Sequence, residues 1–209
     1  MRKRYIILCC LACLFIPREY LSYILTQENI PTPTQIDIEK NKIFVNKHKD
    51  KCLKALAYYP ELKGIHIEFK EKSIGTTMAA RPIVSSFFNT EYQRKYEIIF
   101  NNSADCEVPF HELPEEGQVG ILGHELAHIL DFENKSLGQL IVTGAFYINA
   151  HSIRSYERGI DKITLERGLG KKLYHAYQYI LEDSRASLEY KKFKKFHYLE
   201  PKEILQQLP

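Results

Sequence analysis

Residues 123–131 read Gly-His-Glu-Leu-Ala-His-Ile-Leu-Asp, and two histidines four positions apart have a definite meaning on a helix. At about 3.6 residues per turn, His124 and His128 leave the same face one turn apart, so their imidazoles can grip one zinc ion. Glu125 projects beside them towards a water on that metal, where a carboxylate can take the proton. Two imidazoles leave zinc short, since a catalytic site takes three protein ligands and a water. Three carboxylates compete for the third place: Asp131, Glu133 and Glu157. A helix running on through Asp131 carries that side chain about a turn past the metal and turns Glu133 to another face. Residues 156–161, Tyr-Glu-Arg-Gly-Ile-Asp, offer a carboxylate pair at helical spacing, with Glu157 and Asp161 on one face. On a separate helix, Glu157 can approach from the side.

The elements that must hold these residues follow from periodicity. Pro114, Glu115 and Glu116 suit a first turn, and Val119, Leu122, Leu126 and Ile129 recur at helical spacing. That predicts a helix over 114–132 with a core-facing stripe and both histidines on a neighbouring face. Gly120, Gly123 and Ala127 add a strip of small residues. Because each Gly costs a helix about 1 kcal/mol relative to Ala, the strip predicts a second backbone packed close. Further helices are expected over 46–59, stopped by Pro60, and over 136–149, 152–168 and 171–193. In the third of these four, Ile153, Tyr156, Ile160 and Ile163 form the buried stripe, and Gly168 and Gly170 end the helix. Strict alternation of Ile65, Ile67 and Phe69 with polar residues predicts a half-buried strand, followed by strands over 76–88, bent at Pro82, and over 96–101. Helix, short mixed sheet, then helices is an α+β order.

The 209 residues, 44% hydrophobic and 26% charged, suit one globular domain and exclude disordered, collagen-like and solenoid chains. With 29 basic and 26 acidic residues spread along the chain, nothing marks a nucleic-acid partner. Of the 5 cysteines, three crowd into the first thirteen residues; Cys52 and Cys106 are open to two readings, one disulfide or two unpaired thiols. Met1-Arg2-Lys3-Arg4 followed by an uncharged apolar stretch over 5–16 has the form of an export signal or membrane anchor. The organisation expected is therefore a signal or anchor over 1–26, a linker over 27–46 with Pro31 and Pro33, and a folded domain over 47–209, exported or attached to a membrane through its N-terminus; the alternative is that the apolar stretch is a helix packed within a cytoplasmic domain. Near the C-terminus, residues 190–196 interleave four lysines with aromatics, expected as a solvated helix end with the aromatics tucked inward, contact with an anionic membrane surface being the second reading.

Gly-His-Glu-Leu-Ala-His followed by Glu-Arg-Gly-Ile-Asp resembles the gluzincin pattern of zinc metallopeptidases, HExxH then ExxxD, over roughly residues 47–190. The resemblance implies a minimal zincin-like fold acting on a peptide or protein substrate. It implies Zn2+ held by His124, His128 and Glu157, Glu125 as general base, and Asp161 accepting the distal N–H of a ligand histidine. It also implies that the strand over 96–101 is the sheet edge along which an extended peptide lies. A related branch carries HExxHxxD, where the position matching Asp131 is not a ligand, so Asp131 is read as a supporting or helix-end acceptor. The His-Pro element seen after the ligand helix in some relatives has no counterpart here. His151, Tyr156, Tyr174 and His175 are then the candidates to steady an oxyanion. Two other readings are a catalytically silent zincin-like binding protein, against which the intact Glu125 argues, and a zinc hydrolase of non-peptide amides.

Overall fold

The structure is a computed structural model that describes residues 38–88 and 94–208. The expected leader and most of the expected linker, residues 1–37, lie outside the described residues. In chain order the elements are strand β1 (Lys42–Ile43), helix α1 (Lys49–Leu56), strands β2 (His66–Lys72), β3 (Met78–Pro82) and β4 (Lys95–Asn101), then helices α2 (Glu115–Glu133), α3 (Leu137–Phe146), α4 (Ala150–Thr164), α5 (Gly170–Gln178), α6 (Leu188–His197) and α7 (Pro201–Leu205). The fold is α+β, as expected, with a four-stranded sheet and predominantly helical content. Structure begins earlier than the expected linker end at residue 46. Lys42 and Ile43 pair in parallel with Ile67 and Glu68, and the Lys42 ammonium donates to the carbonyls of Lys40, Leu62, Lys63 and Ile65. Among the described residues no helix is long and apolar enough to cross a membrane.

The sheet runs in the order β1-β2-β4-β3, with β1, β2 and β4 parallel and β3 antiparallel to β4. Alternation in β2 puts Ile67 and Phe69 into the core and leaves His66, Glu68 and Lys70 partly in water. In β4, by contrast, Tyr96, Ile98, Ile99 and Phe100 are all buried, the mark of a strand covered on both faces, and β4 pairs with β2 on one side and β3 on the other. The expectation that this strand forms the sheet edge is therefore corrected: β4 is interior, and the edge on its side of the sheet is β3, with β1 at the other edge. Pro82, which has no N–H to offer a ladder, closes that strand, and Val84–Phe88 continues as a 3-10 turn instead of the longer strand expected.

Helix α2 is buried on nearly every side, from Val119 through Ile129, because the sheet, α1, α4 and α5 all pack on it. The strip of small residues does what its helix cost implies. A methyl group added to Gly120 would sit 2.4 Å from the Lys172 carbonyl carbon and 2.5 Å from the Leu173 nitrogen, both backbone atoms of α5. Gly168, at φ 80°, takes the left-handed conformation that turns the chain between α4 and α5. The single helix expected over 171–193 is two. Past α5 the chain widens through Tyr179–Asp183, becomes extended at Ser184, whose hydroxyl donates back to the Ile180 carbonyl, and restarts at α6 with Ser187 accepting from the Tyr190 N–H. Serine competes with the backbone for hydrogen bonds, and two of them three residues apart suffice to stop one helix and cap the next. Cys52 and Cys106 are free thiols, which decides between the two readings of that pair.

Candidate metal centre

Helices α2 and α4 face each other across a cavity of about 480 Å³. His124, Glu125 and His128 come from α2 and Glu157 from α4; all four are buried and line the cavity. Glu157 Oε2 lies 3.1 Å from His124 Nε2 and 3.4 Å from His128 Nε2. Donor atoms of the three residues fall within 4.8 Å of one another. Ligands on a tetrahedral ion at 2.0–2.2 Å bond lengths stand about 3.3–3.6 Å apart, so the spacing fits one metal ion.

The supporting hydrogen bonds settle which nitrogens face the centre. His124 Nδ1 is 2.9 Å from Asp161 Oδ1, and that carboxylate also accepts from the Tyr177 hydroxyl at 2.7 Å and from the Leu199 N–H at 2.8 Å. With Nδ1–H committed to Asp161, His124 turns Nε2 towards Glu157, the nitrogen that would offer its lone pair to a metal once its proton is displaced. His128 is held less directly. Its Nδ1 lies 3.4 Å from the Tyr156 hydroxyl, which donates to Asp131 at 2.7 Å, and Asp131 also accepts from Lys135 at 2.6 Å. Both imidazoles thus turn Nε2 towards one carboxylate oxygen, an arrangement that can hold either a proton or a metal ion between them. Burial pushes His124 down, but Asp161 and Glu157 more than offset it and raise the imidazole to about 10. Burial likewise pushes Glu157 up, while His128 and His124 hold it well below the usual carboxylate range. The centre is an electrostatic cradle for positive charge.

The expected site residues therefore meet: His124, His128 and Glu157 converge, Asp161 backs His124, and Asp131 backs His128 through Tyr156. Glu133 turns away, accepting from the Tyr96 hydroxyl. Of the four oxyanion candidates, Tyr156 is committed to Asp131, His151 stands exposed against Phe196, and Tyr174 and His175 are not among the residues lining the cavity.

Two tyrosines went unrecognised in the sequence. Tyr147, just past α3, donates to Glu157 Oε1 at 2.7 Å. Tyr198, between α6 and α7, lines the cavity with its ring 5.6 Å from that of His124 and the Lys194 ammonium 4.3 Å from its own ring centre. Burial, reinforced by Glu157 among other charges, raises both phenols, so both stay protonated donors. The edge strand supplies a further wall through Met78, Ala79, Ala80, Arg81 and Pro82. Comparison with profiles of known protein families, with curated proteins and with solved structures finds no match to this chain.

Proposed function

We propose that the chain is a zinc-dependent metallopeptidase of gluzincin type, exported or attached to a membrane through its N-terminus. The observation that carries the reading is the convergence of two α2 histidines and an α4 glutamate on one cavity, with Glu125 beside them and each imidazole braced from behind. The donor set of two nitrogens and one carboxylate suits Zn2+. When bound, the metal supplies a Lewis acid that polarises a carbonyl and acidifies a water.

The protein's own residues do the rest. Glu125 takes the proton from the attacking water and passes it to the leaving amine. No described residue's hydrogen bond engages its carboxylate, so it is free for that task. Tyr147 holds Glu157 by one oxygen and leaves the other to the metal. Tyr198 donates to the oxygen that gains charge as the carbonyl is attacked. The edge strand β3, not β4, offers unpaired backbone groups to an extended peptide lying along the cavity.

Metal stoichiometry of the purified chain tests the centre: about one zinc per chain is expected, and little in His124→Ala or Glu157→Ala. Glu125→Gln keeps the side chain's shape but cannot take a proton. It should retain the metal and lose hydrolysis by a factor of about 10²–10⁴ or more. Undiminished turnover in that variant overturns the peptidase reading.

A further inference from the structure

Helix α3 inverts the pattern of a helix that faces water. Leu140 and Thr143 turn to the body and are buried, whereas Ile141 is 68% exposed, Val142 55% and Ile148, just beyond the helix, 87%. Leu137, Phe146 and Tyr147 stand open beside them. Across residues 136–153 there is no Asp, Glu, Lys or Arg, so the segment has no long charged side chain of its own to lay over this surface. An apolar face of that kind on a folded protein marks a contact surface.

What the contact is follows from its neighbour. Helix α6 carries four lysines against one glutamate; Lys194 is buried, whereas Lys192 and Lys195 are exposed, with Phe193 and Phe196 partly open beside them. The aromatics expected to tuck inward are thus partly open. The two faces adjoin. Phe193 shares the cavity rim with Gly144 and Tyr147, and the Phe196 ring packs with His151 and Arg154 at the start of α4. Aliphatic side chains bordered by aromatics and lysines make up the composition that partitions into a bilayer interface.

We propose that the joint face of α3 and α6 docks on an anionic lipid surface, the α3 aliphatics entering the acyl boundary and the exposed Lys192 and Lys195 of α6 meeting the headgroups. A second copy of the chain is disfavoured as occupant, because a two-fold contact sets the lysine-rich helix against itself. Docking in this way brings the cavity mouth, with Gly144, Tyr147 and Phe193 on its rim, to the membrane. The proposal is independent of the metal and of the reaction.

The chain has no Trp, so Ile148→Trp gives the full-length protein a single tryptophan at an already exposed position. Phe193→Trp supplies a second reporter on α6, and Lys54→Trp in α1 serves as reference. Each is mixed with phosphatidylcholine vesicles containing about 30% phosphatidylglycerol and brominated acyl chains. The Ile148→Trp and Phe193→Trp reporters should lose about half their fluorescence or more while Lys54→Trp keeps its own. Adding Lys192→Glu and Lys195→Glu to the Ile148→Trp chain should weaken vesicle binding of this face about ten-fold. The proposal fails if all three reporters are quenched alike, or if Ile148→Trp stays unquenched on vesicle-bound protein. It also fails if that reporter is shielded without lipid in step with a concentration-dependent dimer.

Discussion

Replacing Asp161 with asparagine changes one atom at a position with no solvent exposure, and the consequences can be worked through donor by donor. The carboxylate accepts from His124 Nδ1, the Tyr177 hydroxyl and the Leu199 N–H. An amide has only one oxygen for these three donors. If the new NH2 group faces Leu199, two N–H groups oppose each other in the core. If it faces His124, the imidazole must move its proton to Nε2, the atom 3.1 Å from Glu157, and its lone pair leaves the centre. Either arrangement loses a hydrogen bond to a charged acceptor, about 1.5–3 kcal/mol. Loss of such a brace behind a metal histidine costs about 10–100-fold in affinity, or roughly 1.4–2.7 kcal/mol. Competition for zinc between the metal-free protein and a chromophoric chelator measures this directly, with circular dichroism checking that the variant is folded. Asp131→Asn is the internal control. It acts through the Tyr156 hydroxyl at a longer 3.4 Å contact, and its effect should fall below about ten-fold. A folded Asp161→Asn protein that binds zinc within about two-fold of the parent would refute the argument that this carboxylate sets the tautomer.

Gly120→Ala should lower the thermal midpoint, because the new methyl meets the α5 backbone at 2.4 Å and overpacking of this kind costs about 1–3 kcal/mol. Gly159→Ala, in α4 with nothing within 4 Å, should instead raise the midpoint by the helix-propensity gain of up to about 1 kcal/mol; the two melting curves, run side by side, check both. Arg158 grips Glu203 with two nitrogens and also donates to the Tyr198 carbonyl, so Arg158→Met should destabilise the fold and loosen the loop that presents Tyr198 and Leu199. The hydrogen bond from Arg158, partly countered by burial, holds Glu203 below the usual carboxylate range. That contribution is present above the unfolded glutamate value of about 4.3 and is lost as pH falls through the lower folded one. The stability gap between parent and variant, read from urea titrations, should narrow in that acid window.

The parts of this protein that were legible in its sequence are those set by local periodicity. Helix pitch alone puts His124 and His128 on one face and Glu157 in line with Asp161, whatever surrounds them. The cost of glycine in a helix likewise announced the close crossing at Gly120 before its partner was known. The alternation of Ile67 and Phe69 placed one face of β2 in the core for the same reason. Tertiary structure decided whatever depends on pairing between distant segments. β4 lies inside the sheet and β3 at its edge because strand order is set by long-range hydrogen bonds that leave no periodic trace in either strand. Tyr147 and Tyr198 reach the cavity from loops after α3 and α6, and no spacing relates them to His124. Asp131 serves His128 only because α4 brings Tyr156 between them. Helix geometry fixes directions within one element, whereas the meeting of elements depends on packing the whole core, and that is where the cavity, its donors and its edge strand were determined.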